Sequence, residues 1–95
     1  MIQNICGRAV NEFMNLKTLS IREIEYKLFS KGLKRDIISN YIEENYEVLN
    51  EYERDCARKI FIKKQKNMDI EDIILFLKKK GYKEENISYG MEGMN

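Results

Sequence analysis

The feature that most constrains this chain is a repeat, because two segments of its sequence align without a gap at an offset of 49 residues. The segments are SIREIEYKLFSKGLKRDII, which begins at Ser20, and DIEDIILFLKKKGYKEENI, which begins at Asp69. Apolar residues, a lysine and a glycine recur at matching positions. The matching pairs are Ile21 and Ile70, Ile24 and Ile73, Leu28 and Leu77, Lys31 and Lys80, Gly32 and Gly81, and Ile38 and Ile87. The chain is therefore predicted to form the same local structure twice.

Each segment begins with the signals of a helix N-terminus. Ser20 and Asp69 are favourable N-cap residues, because their side-chain oxygens can accept hydrogen bonds from the amides of the first turn. Glu23 and Asp72 follow three residues later and complete the capping-box pattern. Helices are therefore predicted to start at Ser20 and at Asp69.

Each predicted helix has one apolar face and a glycine at its end. Two sets of apolar residues recur at the three- and four-residue spacing of a buried helical face: Ile21, Ile24 and Leu28 in the first copy, and Ile70, Ile73, Ile74 and Leu77 in the second. A glycine after the last turn commonly adopts the left-handed conformation that ends a helix. We therefore expect a buried apolar stripe in both copies and a positive φ at both repeat glycines.

Further amphipathic segments flank both copies. The upstream segments contain Val10, Phe13 and Met14 in the first copy and Ala57, Ile60 and Phe61 in the second. The downstream helix of the first copy is predicted to pass through Ile37, Ile38, Tyr41 and Ile42 and to reach Val48 or Leu49. Its counterpart in the second copy is predicted to be short, because SYGMEGMN contains two glycines.

The predicted fold is all-α and consists of two tandem three-helix repeats. The chain contains no proline and only five glycines in 95 residues, a composition that favours helices over hairpin turns. The first repeat covers residues 1–50 and the second covers residues 51–95. The stretch between them, ENYEVLNEYERD, is acidic and can continue as helix, so we expect no flexible linker.

Several classes of function are disfavoured by residues that the chain lacks. Histidine is absent, which removes the commonest general acid or base and the commonest metal ligand. The two cysteines, Cys6 and Cys56, lie far apart and suggest neither a zinc site nor a disulfide framework. We therefore expect no enzymatic activity, cofactor, metal or small-molecule substrate.

No apolar run is long enough for a membrane span and no secretion signal is evident, so we expect a cytoplasmic location.

Charge is distributed unevenly along the chain. Residues 1–57 carry eight basic and ten acidic residues, whereas residues 58–83 carry nine basic and three acidic residues. A local excess of positive charge attracts phosphates or acidic protein surfaces, although lysine runs also occur on solvated helix faces. The candidate residues for contact with nucleic acid or a partner are Arg58, Lys63, Lys64, Lys66, Lys78, Lys79, Lys80 and Lys83.

The aromatic and acidic residues each allow two interpretations. The aromatic residues can stack on unpaired bases, but most of them fall beside the aliphatic stripe and are expected in the core. Phe29 and Phe76 are less easily placed, and one of the two is expected to be exposed.

The acidic stretch contains Glu43, Glu44, Glu47, Glu51, Glu53 and Asp55. It lacks the glycine and alternating oxygen ligands of a calcium loop and is expected to form a solvated or partner-facing surface.

The order of these residues resembles the RecX family of bacterial recombination regulators. The stretch that resembles the first family repeat contains Val10, Met14, Lys17, Ser20, Glu23, Ile24, Leu28, Lys31 and Gly32. The stretch that resembles the last family repeat contains Glu71, Asp72, Ile73, Phe76, Leu77, Lys80, Gly81, Tyr82 and Ile87. The middle family repeat opens with paired aspartates, an aromatic residue and alanine, and LNEYERDCA here lacks the paired aspartates. The chain therefore resembles a short, two-repeat member.

The resemblance implies a regulatory protein that lies along the RecA filament on single-stranded DNA and restrains it. The implied partners are a RecA-type recombinase filament and single- or double-stranded DNA. Two other functions remain open at this point. One is a helical DNA-binding or transcription-associated protein, since the helix, glycine turn and helix arrangement overlaps with helix-turn-helix patterns. The other is a small helical adaptor that recognises another protein.

Overall fold

Six α-helices form most of the described part of the molecule. The structure is a computed structural model that describes residues 2–16 and 18–92, with side chains for residues 6–15 and 18–92. The helices are α1 (Ile2–Leu16), α2 (Ile21–Ser30), α3 (Arg35–Glu44), α4 (Tyr46–Lys64), α5 (Ile70–Lys79) and α6 (Glu84–Glu92). Those residues include no strand, so the predicted all-α class is confirmed. Lys17, one of the residues that carry the family resemblance, lies outside the described residues.

The two repeat helices begin at the predicted residues but are capped differently. The Ser20 hydroxyl accepts the Glu23 amide at 3.0 Å, and Glu23 Oε1 accepts the Ser20 amide at 3.0 Å, so the predicted capping box forms. At Asp69 the backbone is extended as expected, but the side chain makes no capping hydrogen bond. The prediction of a second capping box is therefore wrong. Asp72 is one methylene shorter than a glutamate and reaches less far back, and its amide donates to the Asp69 carbonyl at 3.0 Å instead.

Both repeat glycines end their helices in the left-handed conformation, as predicted. The φ angle is 93° at Gly32 and 91° at Gly81. The amide of Gly32 donates to the carbonyl three residues back at 3.0 Å, and the amide of Leu33 donates to the carbonyl five residues back at 3.4 Å. Gly81 and Tyr82 make the same pair of bonds at 3.0 and 3.1 Å. Both ends are therefore Schellman motifs, which satisfy carbonyls that the last helical turn leaves free.

Two apolar cores follow one another along the chain. The first contains Ala9, Val10, Leu19, Ile21, Ile24, Leu28, Ile38 and Leu49. The second contains Cys56, Ala57, Ile60, Phe61, Ile73, Leu77, Tyr82 and Ile87. Tyr52 packs against both cores. Ile24, Leu28, Ile73 and Leu77 are completely buried and Ile21 is buried, which confirms these predicted core positions. The prediction is wrong for Ile70, which is 43% exposed at the first residue of α5.

Helix α4 contributes to both cores and replaces the expected end of the first repeat. The helix predicted to reach Val48 or Leu49 ends at Glu44, because Asn45 leaves the helical conformation with φ −112° and ψ 20°. The Asn45 side chain donates to the Tyr41 carbonyl at 2.9 Å, a local bond of the kind that competes with helix continuation. The acidic stretch then continues as helix α4, as expected. The predicted boundary between residues 50 and 51 lies inside this helix.

A buried carboxylate in α4 ties the two halves of the molecule together. Glu53 is completely buried; its Oε1 accepts the Ile21 amide at 2.7 Å and its Oε2 accepts the Lys83 amide at 3.1 Å. Oε2 also accepts Nδ2 of Asn86 at 2.6 Å. Ile21 begins α2 and Lys83 directly precedes α6, so one carboxylate satisfies amides at two helix N-termini, where negative charge is favoured. The expectation that the whole acidic stretch is a surface is therefore wrong for Glu53.

Helix α6 spans nine residues, and the first glycine of the stretch predicted to end it does not stop it. The second, Gly93, lies outside the described residues. Gly90 lies inside the helix and is buried against α4. A Cβ atom there would lie 3.0 Å from the backbone of Ala57 and Arg58. Gly90 therefore allows α6 to approach α4 closely rather than ending the helix.

Candidate functional site

The outer face of α2 exposes two aromatic side chains. Ile21, Ile24 and Leu28 of this helix are buried in the first core, so the opposite side of the helix faces solvent. Tyr26 is 70% exposed and Phe29 is 52% exposed. The expectation that one of Phe29 and Phe76 is exposed is confirmed at Phe29. Exposed aromatic side chains on one face of a helix mark a candidate binding surface.

The turn between α5 and α6 lies against the first turn of α2. The Ser20 hydroxyl donates to the Lys80 carbonyl at 2.6 Å, and Lys80 Nζ lies 3.3 Å from Glu23 Oε2. Gly81 approaches so closely that a Cβ atom there would lie 2.7 Å from Cδ of Arg22. These contacts bring a cation of the second half beside the cations of the first half.

A depression of about 590 Å³ opens between α1, α2 and this turn. It is lined by Phe13, Arg22, Glu23, Tyr26, Lys27, Ser30, Lys31 and Lys80. The Nζ atoms of Lys27 and Lys31 each lie 5.8 Å from the centre of the Phe13 ring, which is within range of a cation-π interaction. Four cations therefore line one depression together with a single carboxylate and two aromatic rings.

Two further depressions continue this surface. One, of about 360 Å³, shares Arg22 and Tyr26 with the first and adds Phe29 and Arg35. The other, of about 650 Å³, shares Lys27 and Lys80 with the first and adds Lys59. We call this continuous surface the cation-aromatic strip. Its basic and aromatic members are Phe13, Arg22, Tyr26, Lys27, Phe29, Lys31, Arg35, Lys59 and Lys80.

The strip carries a net positive charge. Six of its residues are basic, and the carboxylates beside them are Glu23 and Glu25. Glu23 is already engaged by the Ser20 amide and by Lys80. Lysine and arginine neutralise phosphates, and aromatic rings offer surfaces on which bases stack. The strip therefore combines the two kinds of contact that a nucleic-acid strand uses.

The eight basic residues singled out in the sequence are distributed over several elements. Arg58, Lys63 and Lys64 lie in α4, Lys66 in the following turn, Lys78 and Lys79 in α5, and Lys80 and Lys83 between α5 and α6. Of these eight, Lys80 alone lines the cation-aromatic strip. The structure also brings Lys64 and Lys80 to one ring, with their Nζ atoms 4.5 and 5.3 Å from the centre of Phe76.

Three more of the eight residues have partners within the molecule. Arg58 lies with its guanidinium carbon 4.4 Å from the centre of the Tyr89 ring. The Nζ atom of Lys78 lies 3.7 Å from Glu84. Lys83 stacks over the Tyr46 ring and donates to its hydroxyl. Lys63, Lys66 and Lys79 are exposed.

Sequence reasoning missed most of the strip. Four of its cations lie outside residues 58–83, the stretch that the charge count indicated: Arg22, Lys27, Lys31 and Arg35. Lys59 lies within that stretch but was not among the eight candidates. Two signals could have indicated it. Basic and aromatic residues lie on α2 opposite its apolar stripe, and Lys31 and Lys80 occupy equivalent positions at the 49-residue offset. A count along the sequence cannot detect cations that come together only by folding.

Other candidate chemistry finds little support in the described residues. Cys6 and Cys56 are buried free thiols. Burial raises the pKa of each thiol, so both stay protonated at neutral pH, whereas the thiolate is the reactive form. Within the described part of the chain, no group of three or more acidic or cysteine side chains could hold a metal ion. None of the described helices is long and apolar enough to cross a bilayer.

Comparisons of the chain with protein-family models, with curated proteins and with solved structures find no match. The candidate site therefore rests on the geometry of the cation-aromatic strip alone. The resemblance to the RecX family stays a prediction from the residues that carry it.

Proposed function

We propose that this chain is a regulatory binding protein that restrains a RecA-type recombinase filament on single-stranded DNA. The resemblance to the RecX family implies this role. The observation that carries the proposal is the cation-aromatic strip, in which basic residues from both halves share one surface with exposed aromatic rings. A surface of this kind favours a polyanion whose bases are accessible.

The arrangement of charge supports contact with a backbone rather than with a single small anion. The central depression holds four cations, and the depressions on either side add Arg35 and Lys59. The strip therefore extends across three adjoining depressions. A strand with regularly spaced phosphates can contact the cations in succession, and each neutralised phosphate releases condensed counterions.

We also propose that the two halves are copies of one three-helix unit. Equivalent residues at the 49-residue offset are buried alike: Ile24 and Ile73, Leu28 and Leu77, and Ile38 and Ile87. The glycine stops have the same backbone conformation. Lys31 and Lys80 follow equivalent helices and line the same depression. Duplication of the unit would thus supply two cations of one binding surface.

Binding of a labelled oligothymidine at several salt concentrations tests the contribution of the strip. The test variant changes Lys27, Lys31 and Lys80 to Gln. The control variant carries the same change of charge, with Lys63, Lys66 and Lys79 changed to Gln. Each phosphate neutralised on a single strand contributes roughly −0.7 to the slope of log affinity against log salt. If the three strip lysines each contact a phosphate, this slope becomes less negative by about two units in the test variant. The control keeps the slope of the unmodified protein.

Two results of this experiment would contradict the proposal that the strip binds the strand. An equal loss of affinity in both variants would show that the binding surface is spread over the molecule. A loss of affinity in the control variant alone would indicate that the strand binds the lysine-rich stretch identified from the sequence. Circular dichroism of each variant checks that the helices remain folded.

The recombinase part of the proposal is tested by ATP hydrolysis. RecA from the same organism hydrolyses ATP when bound to single-stranded DNA, and we expect the unmodified protein to reduce this rate. The test variant should reduce it much less than the control variant. An unchanged rate with the unmodified protein, together with intact oligothymidine binding, would reject the recombinase filament as the target. Stronger binding to duplex than to single strands would favour the alternative of a helical DNA-binding protein.

A further inference from the structure

We infer that Tyr26 and Phe29 act as base-stacking residues that make the cation-aromatic strip selective for unpaired nucleobases over a phosphate backbone alone. This inference rests on the proposed nucleic-acid binding and assigns the selectivity to two side chains of α2. Both aromatic rings are exposed, and both lie among the cations that would hold the backbone.

Neither ring is needed to fill the interior. The inward face of α2 is formed by Ile21, Ile24 and Leu28, and Tyr26 and Phe29 belong to neither apolar core. Leaving two aromatic rings in water forgoes the hydrophobic free energy that burial would provide. A ligand that covers the rings would recover this free energy.

The second half offers no equivalent pair of aromatic residues. At the 49-residue offset, Leu75 stands in the place of Tyr26 and Lys78 stands in the place of Phe29. The shared helical repeat therefore does not account for the rings of α2. They are a feature of the half that carries most of the strip.

The surroundings of the rings match a strand with splayed bases. Tyr26 lines two adjoining depressions together with Arg22, and the guanidinium carbon of Arg35 lies 5.8 Å from the centre of the Phe29 ring. Residues three apart on a helix have Cβ atoms about 5–6 Å apart. Two neighbouring bases of one strand can therefore each reach a ring while their phosphates meet the arginines.

The rings would also make the strip bind single-stranded nucleic acid more tightly than other polyanions. A duplex hides its base faces within the stack, and an acidic polypeptide has none. The cations of the strip can attract either of them, but the rings contribute stacking only to unpaired bases. Stacking on an aromatic side chain strengthens binding on the order of tenfold per base.

The test compares four fluorescent probes of similar negative charge at several matched salt concentrations. They are an oligothymidine, a base-free phosphodiester strand of the same length, a short duplex and a polyglutamate. The test variant combines Tyr26→Leu with Phe29→Leu, which removes the rings and keeps the side chains apolar. The control is Leu75→Ala, a change at an exposed apolar residue of the second half.

We expect the unmodified protein and the control to bind oligothymidine at least tenfold more tightly than the base-free strand. The double variant should bind the two strands equally, at the affinity of the base-free strand, and keep its salt dependence. Equal binding of both strands by the unmodified protein would overturn the inference and leave the proposed function standing. Preference for the duplex or for polyglutamate would also overturn it, and absence of binding to every probe would remove the proposed function as well.

A tryptophan reporter provides a second measurement. The chain contains no tryptophan, so Tyr26→Trp introduces a single emitting indole and preserves an aromatic ring at the site. Stacking should quench its emission with oligothymidine and leave it unchanged with the base-free strand. Quenching of equal size by both strands would contradict stacking at this residue.

Discussion

The two glycine stops have the same backbone but different surroundings. Gly32 and Gly81 both have φ near 90° and both close Schellman motifs. A Cβ atom at Gly32 would meet nothing within 4 Å, whereas one at Gly81 would lie 2.7 Å from Cδ of Arg22. Local sequence therefore gives both turns one conformation, and tertiary packing makes only one of them part of the contact between the halves.

The helices before these glycines show the same contrast at their first residues. Ile21 is buried at the start of α2, where the Ser20 hydroxyl binds the Lys80 carbonyl and Glu53 accepts the Ile21 amide. Its equivalent, Ile70, is 43% exposed at the start of α5. Equivalent residues can thus lie inside or outside, depending on whether their helix end meets the other half.

The strongest effects should fall on the features that the halves share. We expect Leu28→Ala and Leu77→Ala each to lower the free energy of unfolding by about 2–5 kcal/mol, because each removes a completely buried side chain. Chemical denaturation measures both values. Leu75→Ala is the control, since Leu75 is mostly exposed and should change stability by less than about 0.5 kcal/mol. If only one of these two variants were destabilised, the two cores would not contribute equally to stability.

The next effect should come from the carboxylate between the halves. Glu53→Gln keeps the shape of the side chain but turns one acceptor into a donor that faces other donors. Loss of hydrogen bonds to a charged buried group should cost about 1.5–3 kcal/mol in the free energy of unfolding. Glu51→Gln is the matched control, because Glu51 is exposed on the same helix. If both variants unfold at the same denaturant concentration, Glu53 does not hold the halves together.

The two glycines should then separate the backbone effect from the packing effect. Gly32→Ala should destabilise by about 1 kcal/mol, because alanine is strained at positive φ. Gly81→Ala should cost more, since its Cβ would also displace the Arg22 side chain. Thermal unfolding of both variants measures the difference, and Arg22→Ala in the Gly81→Ala background should recover part of it. Equal losses at the two glycines would show that Arg22 moves aside freely.

The smallest expected difference concerns the helix caps. Ser20→Ala should cost at least about 1 kcal/mol, because it removes the acceptor of the Glu23 amide and also the donor to the Lys80 carbonyl. Asp69→Ala should cost less, since the Asp69 side chain makes no capping bond. Denaturant midpoints of the two variants give the comparison. A larger loss at Asp69 would mean that its capping bond does form in solution.

Much of the local structure could be predicted because it depends on residues close together in sequence. The cap of α2 requires Ser20 and Glu23, three residues apart. The helix stops require a glycine and the carbonyls of the turn before it. The apolar stripes require only the spacing of Ile24, Leu28 and their equivalents. The break at Asn45 was missed, because an asparagine in a run of helix-favouring residues does not by itself predict a helix end.

The cation-aromatic strip and the buried carboxylate were decided by the tertiary structure. Ser20 and Lys80 are bonded across 60 positions, and Ile21 and Glu53 across 32. The sequence by itself determined that this protein is helical, where its repeat helices begin and end, and which residues in the middle of those helices are buried. It did not determine which charges would meet, because an electrostatic field depends on distances in space and a charge count along the chain contains none of them.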